Sequence, residues 1–137
     1  MSHFLDTNIL LYSISSAPKE RGKRDRAIEL LDDDAGVLSV QVLQEFYVQA
    51  TRPSRSGAVT HQQAETLIEA WLRFRIEDLT VAVLKKALSI RQALGFSYWD
   101  SAVVASALAA GCDTLYSEDL SNGQVIEGVT IVNPFRP

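Results

Sequence analysis

Short segments with strand character alternate along this chain with longer segments of helical periodicity. Strands separated by helices of roughly ten residues or more pair in parallel, because an antiparallel pair needs only a short turn. The pattern therefore predicts a layered α/β fold with a parallel sheet, formed by a single domain over residues 1–137. The strand candidates are His3-Phe4-Leu5, Val37-Leu38, residues 75–79, Thr114-Leu115-Tyr116 and Thr130-Ile131-Val132.

Three helix starts carry side chains that can accept a hydrogen bond from the first turn of a helix. Ser39 precedes a helix that we expect to continue to about Ala50, and Thr80 precedes another. Thr60 and Gln63 have the spacing of a capping box. Because these residue types favour the N-cap position, they indicate where the helices between the strands begin.

The helix predicted from Trp99 to Ala110 differs from the others, because no charged side chain occurs between Ser101 and Cys112. A helix that is apolar on all sides is a buried helix. We therefore expect this helix to lie in the core. We also expect Trp99, like Trp71, to belong to the core rather than to a substrate-binding surface.

Composition excludes several classes of protein. The chain has one cysteine, so it forms no internal disulfide, and with two histidines a structural zinc site is not expected. We find no apolar run of membrane-spanning length and no signal-peptide pattern, and we expect a cytoplasmic protein. The net charge of −4 argues against binding nucleic acid through overall charge. It is compatible with an enzyme that has a dense acidic site.

Three aspartates occupy positions where a carboxylate site is expected. Asp6 directly follows the first strand, and Asp119 follows the strand that ends at Tyr116. Active sites of open parallel sheets lie beyond the carboxyl ends of the strands. Asp100 lies in the first turn of the buried helix, where a desolvated carboxylate needs a positive partner. Apart from Arg91, no lysine or arginine lies near Asp100 in the sequence, so a local salt bridge is not expected. A bound cation would supply the positive partner.

A fourth acid, Glu45, lies nearly opposite the apolar stripe of its helix, so it faces either solvent or a cleft. Four carboxylates without histidine or cysteine form a hard oxygen site that suits Mg²⁺, or Mn²⁺, rather than zinc or copper. Hydrolysis of a phosphodiester is the chemistry that such a site serves best.

Each acid also has an ordinary explanation. Asp6 and Asp100 could be helix-terminal residues, Glu45 could be solvated, and Asp119 could belong to a turn. Glu118 could replace Asp119 as the fourth acid. The acidic triplet at residues 32–34 is interpreted as a solvated loop. Besides these acids, Asn8 and the helix cap Ser39 could hydrogen-bond a metal ligand or its bound water.

Together these segments resemble the PIN-domain family, in order and over nearly the whole chain, and the C-terminus is similar to that of its VapC-type toxins. The segments are Phe4-Leu5-Asp6-Thr7-Asn8, Val42-Leu43-Gln44-Glu45-Phe46-Tyr47, Phe96-Ser97-Tyr98-Trp99-Asp100-Ser101-Ala102, Leu115-Tyr116-Ser117-Glu118-Asp119-Leu120, Asn122-Gly123-Gln124 and Ile131-Val132-Asn133-Pro134-Phe135.

The resemblance implies a three-layer α/β/α fold with a mostly parallel, five-stranded sheet. It also implies a metal-dependent endoribonuclease that is the toxin of a toxin–antitoxin pair, forms a homodimer and is bound by a cognate antitoxin. The family's acids match Asp6, Glu45, Asp100 and Asp119, of which the three aspartates would bind the metal and Glu45 would bind it or orient water. Thr7, Asn8 and Ser117 match its supporting polar positions.

Two rival hypotheses belong to other functional classes. The chain could be a non-catalytic PIN-like module that binds RNA or protein, although the presence of all four acids argues against this. It could also be a phosphoryl-transfer protein with Asp6 as nucleophile. Enzymes of that kind commonly have a second aspartate two residues later, where this chain has Asn8.

Overall fold

A six-stranded sheet forms the centre of the computed structural model, which describes residues 2–136. Its strand order is β3-β2-β1-β4-β6-β5, and every neighbouring pair is parallel except β5 with β6. The strands are β1 (His3–Leu5), β2 (Gly36–Ser39), β3 (Arg75–Glu77), β4 (Thr114–Tyr116), β5 (Val125–Ile126) and β6 (Val129–Val132).

Six α-helices connect the described strands and cover the sheet. Because crossovers between parallel strands are right-handed, the helices that follow β1 and β2 lie on one face, and those between β3 and β4 lie on the other. The result is the expected three-layer α/β/α arrangement. The helices are α1 (Thr7–Ser13), α2 (Arg21–Leu31), α3 (Val40–Ala50), α4 (His61–Trp71), α5 (Val81–Leu94) and α6 (Tyr98–Ala109), with a short 3-10 helix at Pro18–Glu20.

The predicted helix starts are confirmed. The Ser39 side chain accepts a hydrogen bond from the Val42 amide, and Thr80 caps α5 in the same way. Thr60 and Gln63 form the complete capping box of α4. In the described residues, no helix is both long enough and apolar enough to cross a membrane.

The expectation of five strands is wrong by one strand. β5 has only two residues and forms a hairpin with β6 through Glu127 and Gly128, both at positive φ. Two consecutive residues at positive φ are typical of a tight hairpin turn, for which Asn-Gly is the usual sequence signal. Glu127 gives no such signal, and two residues are too few for a recognisable strand pattern.

Helix α6 is buried, as its uniformly apolar sequence predicts, with every residue from Ser101 to Ala107 buried. Trp71 is also buried and packs edge-to-face against Phe46. The prediction for Trp99 is wrong, since 63% of this residue is exposed. It lies in the first turn of α6, where the packing that covers the rest of the helix ends.

The order of the sheet determines where a site can form. The chain moves outward from β1 to β2 and β3, then returns across the sheet to β4 on the other side of β1. In parallel α/β sheets, ligands bind at this reversal point, beyond the carboxyl ends of the two central strands. Leu5 and Tyr116, the last residues of those strands, are in register.

Candidate active site

Asp6 lies at the reversal point, immediately after β1, and is the N-cap residue of α1. Its Oδ1 accepts a hydrogen bond of 2.7 Å from the Thr7 amide, and its Oδ2 accepts one of 2.7 Å from the Ser117 hydroxyl. Burial raises the pKa of Asp6 to about 6, although these two hydrogen bonds lower it, and the nearby charges of Glu45 and Asp119 raise it further. The carboxylate is therefore fixed in place in an environment that disfavours its negative charge.

Ser117 and Asn8 connect the loop after β4 to α1. The buried Ser117 hydroxyl accepts a hydrogen bond from the Asp119 amide while it donates to Asp6. Asn8 Nδ2 donates to Asp119 Oδ2 over 3.1 Å, and its Oδ1 accepts from the Glu118 amide. These bonds hold Asp119 beside Asp6.

Glu45 turns toward the cleft rather than toward solvent. The Thr7 hydroxyl donates to Glu45 Oε2 over 2.9 Å, and Gln41 Nε2 donates to Glu45 Oε1 over 3.0 Å. Gln41 Nε2 also donates to the backbone carbonyl of Trp99 over 3.2 Å. Two neighbouring elements therefore determine the orientation of Glu45, and one amide group connects α3 to the start of α6.

Asp100 approaches from the other face of the sheet, in the first turn of α6, which Ser97 caps. Burial raises the pKa of Asp100, a hydrogen bond with Ser97 lowers it, and the charges of Asp119 and Glu45 raise it further. The partial desolvation expected from the sequence is confirmed.

All four predicted acids line one cavity of about 130 Å³. They come from four separate segments: the end of β1, α3, the start of α6 and the loop after β4. No lysine, arginine or histidine from the described chain lines this cavity. The cavity therefore has a surplus of negative charge that residues 2–136 do not neutralise locally. Thr7 and Asn8 line it as well.

The remaining predicted residues lie elsewhere or act differently. Ser39 is buried and caps α3, but it does not line the cavity, so the suggested contact with a metal ligand is not seen. Glu118, the alternative fourth acid, does not line the cavity either. It accepts hydrogen bonds from the Tyr12 hydroxyl and from Lys23 Nζ, each with a donor–acceptor distance of 2.5 Å. Of the two acids, Asp119 is the one that the structure places in the cavity.

A model of the PIN domain family matches residues 3–121, which is most of the chain. This chain belongs to the PIN domain family. The resemblance drawn from its sequence segments is thereby confirmed. A comparison with curated protein sequences gave no significant match.

Solved structures share this PIN fold over nearly their whole length. A toxin–antitoxin complex from Klebsiella pneumoniae is 21% identical, with 97% of this chain and 98% of that chain covered and a TM-score of 0.72. VapC20 of Mycobacterium tuberculosis, described as a toxin that cleaves the sarcin–ricin loop, is 18% identical, with 92% and 98% covered and a TM-score of 0.70. VapBC2 from Rickettsia felis, bound to promoter DNA, is 19% identical, with 96% and 97% covered and a TM-score of 0.67.

The chemistry of this PIN-domain cavity fits a divalent cation. Its donors are carboxylate oxygens, which Mg²⁺ and Mn²⁺ prefer, and its negative charge is uncompensated. Within residues 2–136, however, the His, Cys, Asp and Glu side chains do not form a three-residue cluster arranged around an ion. The cavity therefore matches a divalent cation in its oxygen donors and its negative charge, but not in a coordination geometry preformed by the described residues.

The sequence analysis did not assign two residues, Gln41 and Trp99, to the PIN-domain cleft. Gln41 precedes Glu45 by four residues, and this spacing places both on one face of a helix, which was an available signal for their hydrogen bond. Trp99 gave a misleading signal, because the buried residues that follow it in α6 suggested that it was buried too. Trp99 is exposed because the first turn of α6 lies at the cleft. This position is set by the packing of the helices on the sheet and not by the local sequence.

Proposed function

We propose that this PIN domain is a metal-dependent endoribonuclease that hydrolyses RNA phosphodiester bonds. The observation that carries the proposal is the cavity in which four carboxylates from four chain segments meet, with no cationic side chain from the described residues lining it. Such a donor set suits a hard divalent cation, and a divalent cation suits hydrolysis of a phosphate ester.

In this proposal Asp6, Asp100 and Asp119 hold the cation, and Glu45 either holds it or orients the attacking water. A bound Mg²⁺ or Mn²⁺ would supply charge neutralisation at the phosphate and a lower pKa for the attacking water. The choice between the two ions is part of the proposal.

The chain's own side chains provide positioning. Ser117 and the Thr7 amide hold both oxygens of Asp6, and Asn8 holds Asp119. Thr7 and Gln41 aim Glu45 into the cavity. Outer partners of this kind fix the direction of a ligand, and their loss typically costs about 10- to 100-fold in metal affinity or activity.

The toxin role is part of the same proposal. One structure with this fold is described as a toxin–antitoxin complex, and VapC20 is described as a toxin that cleaves the sarcin–ricin loop. We therefore propose that this chain acts in the cytoplasm as a VapC-type toxin, forms a homodimer and is inhibited by a cognate antitoxin protein.

The test is cleavage of cellular RNA by the purified protein with Mg²⁺ or Mn²⁺, followed by mapping of the cut ends. Asp6→Asn and Asp100→Asn should remove the metal-dependent cuts while the circular dichroism spectrum is unchanged. Asp34→Asn is the matched control, because Asp34 is exposed and lies outside the cavity. Full cleavage by both cavity variants would refute the proposed site.

A non-catalytic binding module is the second candidate. It is favoured by the absence, within residues 2–136, of a three-residue cluster ready to hold an ion. Calorimetric titration with Mn²⁺ distinguishes the two candidates. A pure binding module should show no site that depends on Asp6 or Asp100, whereas the nuclease should show one.

A further inference from the structure

Trp99 is the most unusual exposed residue of the cleft. Tryptophan is a residue that is highly buried on average, yet 63% of Trp99 is exposed. Its backbone is fixed from both sides, since α6 begins at Tyr98 and Gln41 donates to the Trp99 carbonyl. The indole therefore stands on a rigid support beside Asp100.

A second groove, of about 500 Å³, runs from the carboxylate cavity along α3. Glu45, Gln49 and Trp99 line both spaces, so the groove is continuous with the cavity. A ligand that reaches the carboxylates from this side passes over Trp99.

The groove has a composition different from that of the cavity. Arg52 contributes a positive charge, and Gln44 and Gln49 contribute amides that can both donate and accept hydrogen bonds. In the part of the chain that the structure describes, the guanidinium of Arg52 takes part in no salt bridge. An aromatic face, amides and a free cation in one groove are the elements that bind a single-stranded nucleotide.

We propose that this Trp99–Arg52 groove binds the nucleotide next to the scissile phosphate of single-stranded RNA. The base stacks on the Trp99 indole, and Arg52 contacts a phosphate. This inference rests on the proposed nuclease function and adds to it the class of substrate and the side from which the substrate enters.

The charge of the protein increases the importance of local contacts for RNA binding. The chain has a net charge of −4, and without a bound cation the carboxylate cavity repels phosphate. Overall attraction therefore contributes little to RNA binding, and affinity comes from local contacts, among them stacking on Trp99 and the charge of Arg52. Stacking on an aromatic ring accepts any base, so the groove orients the strand and selects unpaired RNA without reading its sequence.

Fluorescence of Trp99 provides a direct test of stacking. The chain has two tryptophans, so Trp71→Phe leaves Trp99 as the single reporter. In this variant, with Asp6→Asn added to prevent cleavage, a ten-nucleotide oligoadenylate should quench the emission. An abasic ribose-phosphate oligomer of equal length should not. Equal quenching by both oligomers would overturn the stacking proposal.

Binding affinities of variants give the second measurement. In the Asp6→Asn background, Trp99→Leu should weaken oligoadenylate binding by about 5- to 150-fold, and Trp99→Phe should restore most of it. Arg52→Gln should weaken binding and reduce the slope of log affinity against log salt by about 1. Lys85→Gln, an exposed change of equal charge outside both grooves, is the matched control and should have little effect.

A contact between two copies of the chain is the main alternative for Trp99. On its other side, Trp99 lines a groove with exposed Leu79, Val81 and Leu84. If Trp99→Leu lowers the molecular mass in solution and leaves RNA affinity unchanged, Trp99 belongs to a protein contact and the proposal is overturned.

The two proposals can fail separately. If the wild-type protein cleaves RNA but Trp99→Leu binds and cleaves like the wild type, the groove proposal fails and the nuclease proposal stands. If no divalent ion supports cleavage but oligoadenylate still quenches Trp99, the nuclease proposal fails and the groove remains a nucleotide-binding site.

Discussion

Two adjacent acids, Glu118 and Asp119, lie in the same loop and have opposite electrostatic environments. Burial alone would raise the pKa of Glu118, but hydrogen bonds from Lys23 and Tyr12 outweigh it and lower the pKa. Asp119 faces the cavity, where its charge contributes to the raised pKa values of Asp6 and Asp100. One acid is neutralised by the chain itself, and the other adds to an uncompensated charge.

The difference separates a structural acid from a candidate functional one. The Lys23–Glu118 pair, with Tyr12 against Phe135, joins α1 and α2 to the loop after β4 and needs nothing from outside the protein. The cavity keeps several carboxylates together, and no cationic side chain from residues 2–136 lines it, which lowers stability unless a ligand compensates. A fold keeps such an arrangement where binding or catalysis requires it.

The largest expected contrast is in catalysis. Asp119→Asn should reduce metal-dependent RNA cleavage by about 1,000-fold, since losing a ligand costs more than the roughly 10- to 100-fold loss of an outer partner. Glu118→Gln should stay within about threefold of the wild type, because Glu118 does not line the cavity. Initial cleavage rates under saturating Mg²⁺ measure both. An equal loss of activity in the two variants would contradict the distinction between a functional Asp119 and a structural Glu118.

The second contrast is in the pH dependence of stability without metal. The pKa of Asp6 is about 6 in the folded protein against 3.8 in the unfolded chain. The folded state therefore holds its proton more tightly, and stability falls as pH rises from about 4 to about 6, by roughly 3 kcal/mol. For Glu118, whose folded pKa is lowered, stability is instead lost as pH falls through that pKa.

Urea titrations in EDTA at several pH values measure this effect. Asp6→Asn removes one titrating group and should make the fall between pH 4 and 6 shallower, while Asp100, whose pKa is also raised, keeps part of it. An equally steep fall in that variant would show that another group causes it. Glu118→Gln should keep the fall between pH 4 and 6, because its effect has the opposite sign.

The places in the fold of two acidic segments, Asp6 and the Glu118–Asp119 pair, were predictable, and the reason is topological. Asp6 and Asp119 follow strands that alternation alone identified, and parallel neighbours bring their carboxyl ends to one edge. Asp100 was found because a charge-free helix must be buried, which makes its terminal carboxylate conspicuous. These inferences need only the local pattern and the rules of sheet assembly.

The direction of Glu45 and the exposure of Trp99 were not predictable in the same way. A helical wheel placed Glu45 away from its apolar stripe, but only Thr7 and Gln41 decide that it faces the cleft. The choice between Glu118 and Asp119 depended on Lys23, which is 95 residues away from Glu118 in the sequence. Contacts between distant segments determine these features, and no local pattern contains them.

The third contrast is the response to a divalent cation. An ion that binds only the folded protein stabilises it by about 2.7 kcal/mol at 100 times its Kd, which raises the Tm by roughly 10 °C for a domain of this size. Asp100→Asn should abolish most of this shift, whereas Glu118→Gln and Asp34→Asn should keep it. Thermal unfolding with Mn²⁺ and with EDTA gives the measurement. A full shift in Asp100→Asn would place the ion elsewhere.

The smallest expected effect is the coupling between Lys23 and Glu118. Their side chains are 42% and 24% exposed, so solvent screens the pair and the coupling free energy should be about 1 kcal/mol. A double-mutant cycle with Lys23→Met and Glu118→Gln measures it, with the more exposed Lys86–Glu127 pair as control, for which less than about 0.5 kcal/mol is expected. Equal coupling in both pairs would mean that burial adds nothing at Glu118. A coupling larger than at the control pair, with RNA cleavage retained in all variants, would show that the loop holds one acid for stability and leaves its neighbour for the cavity.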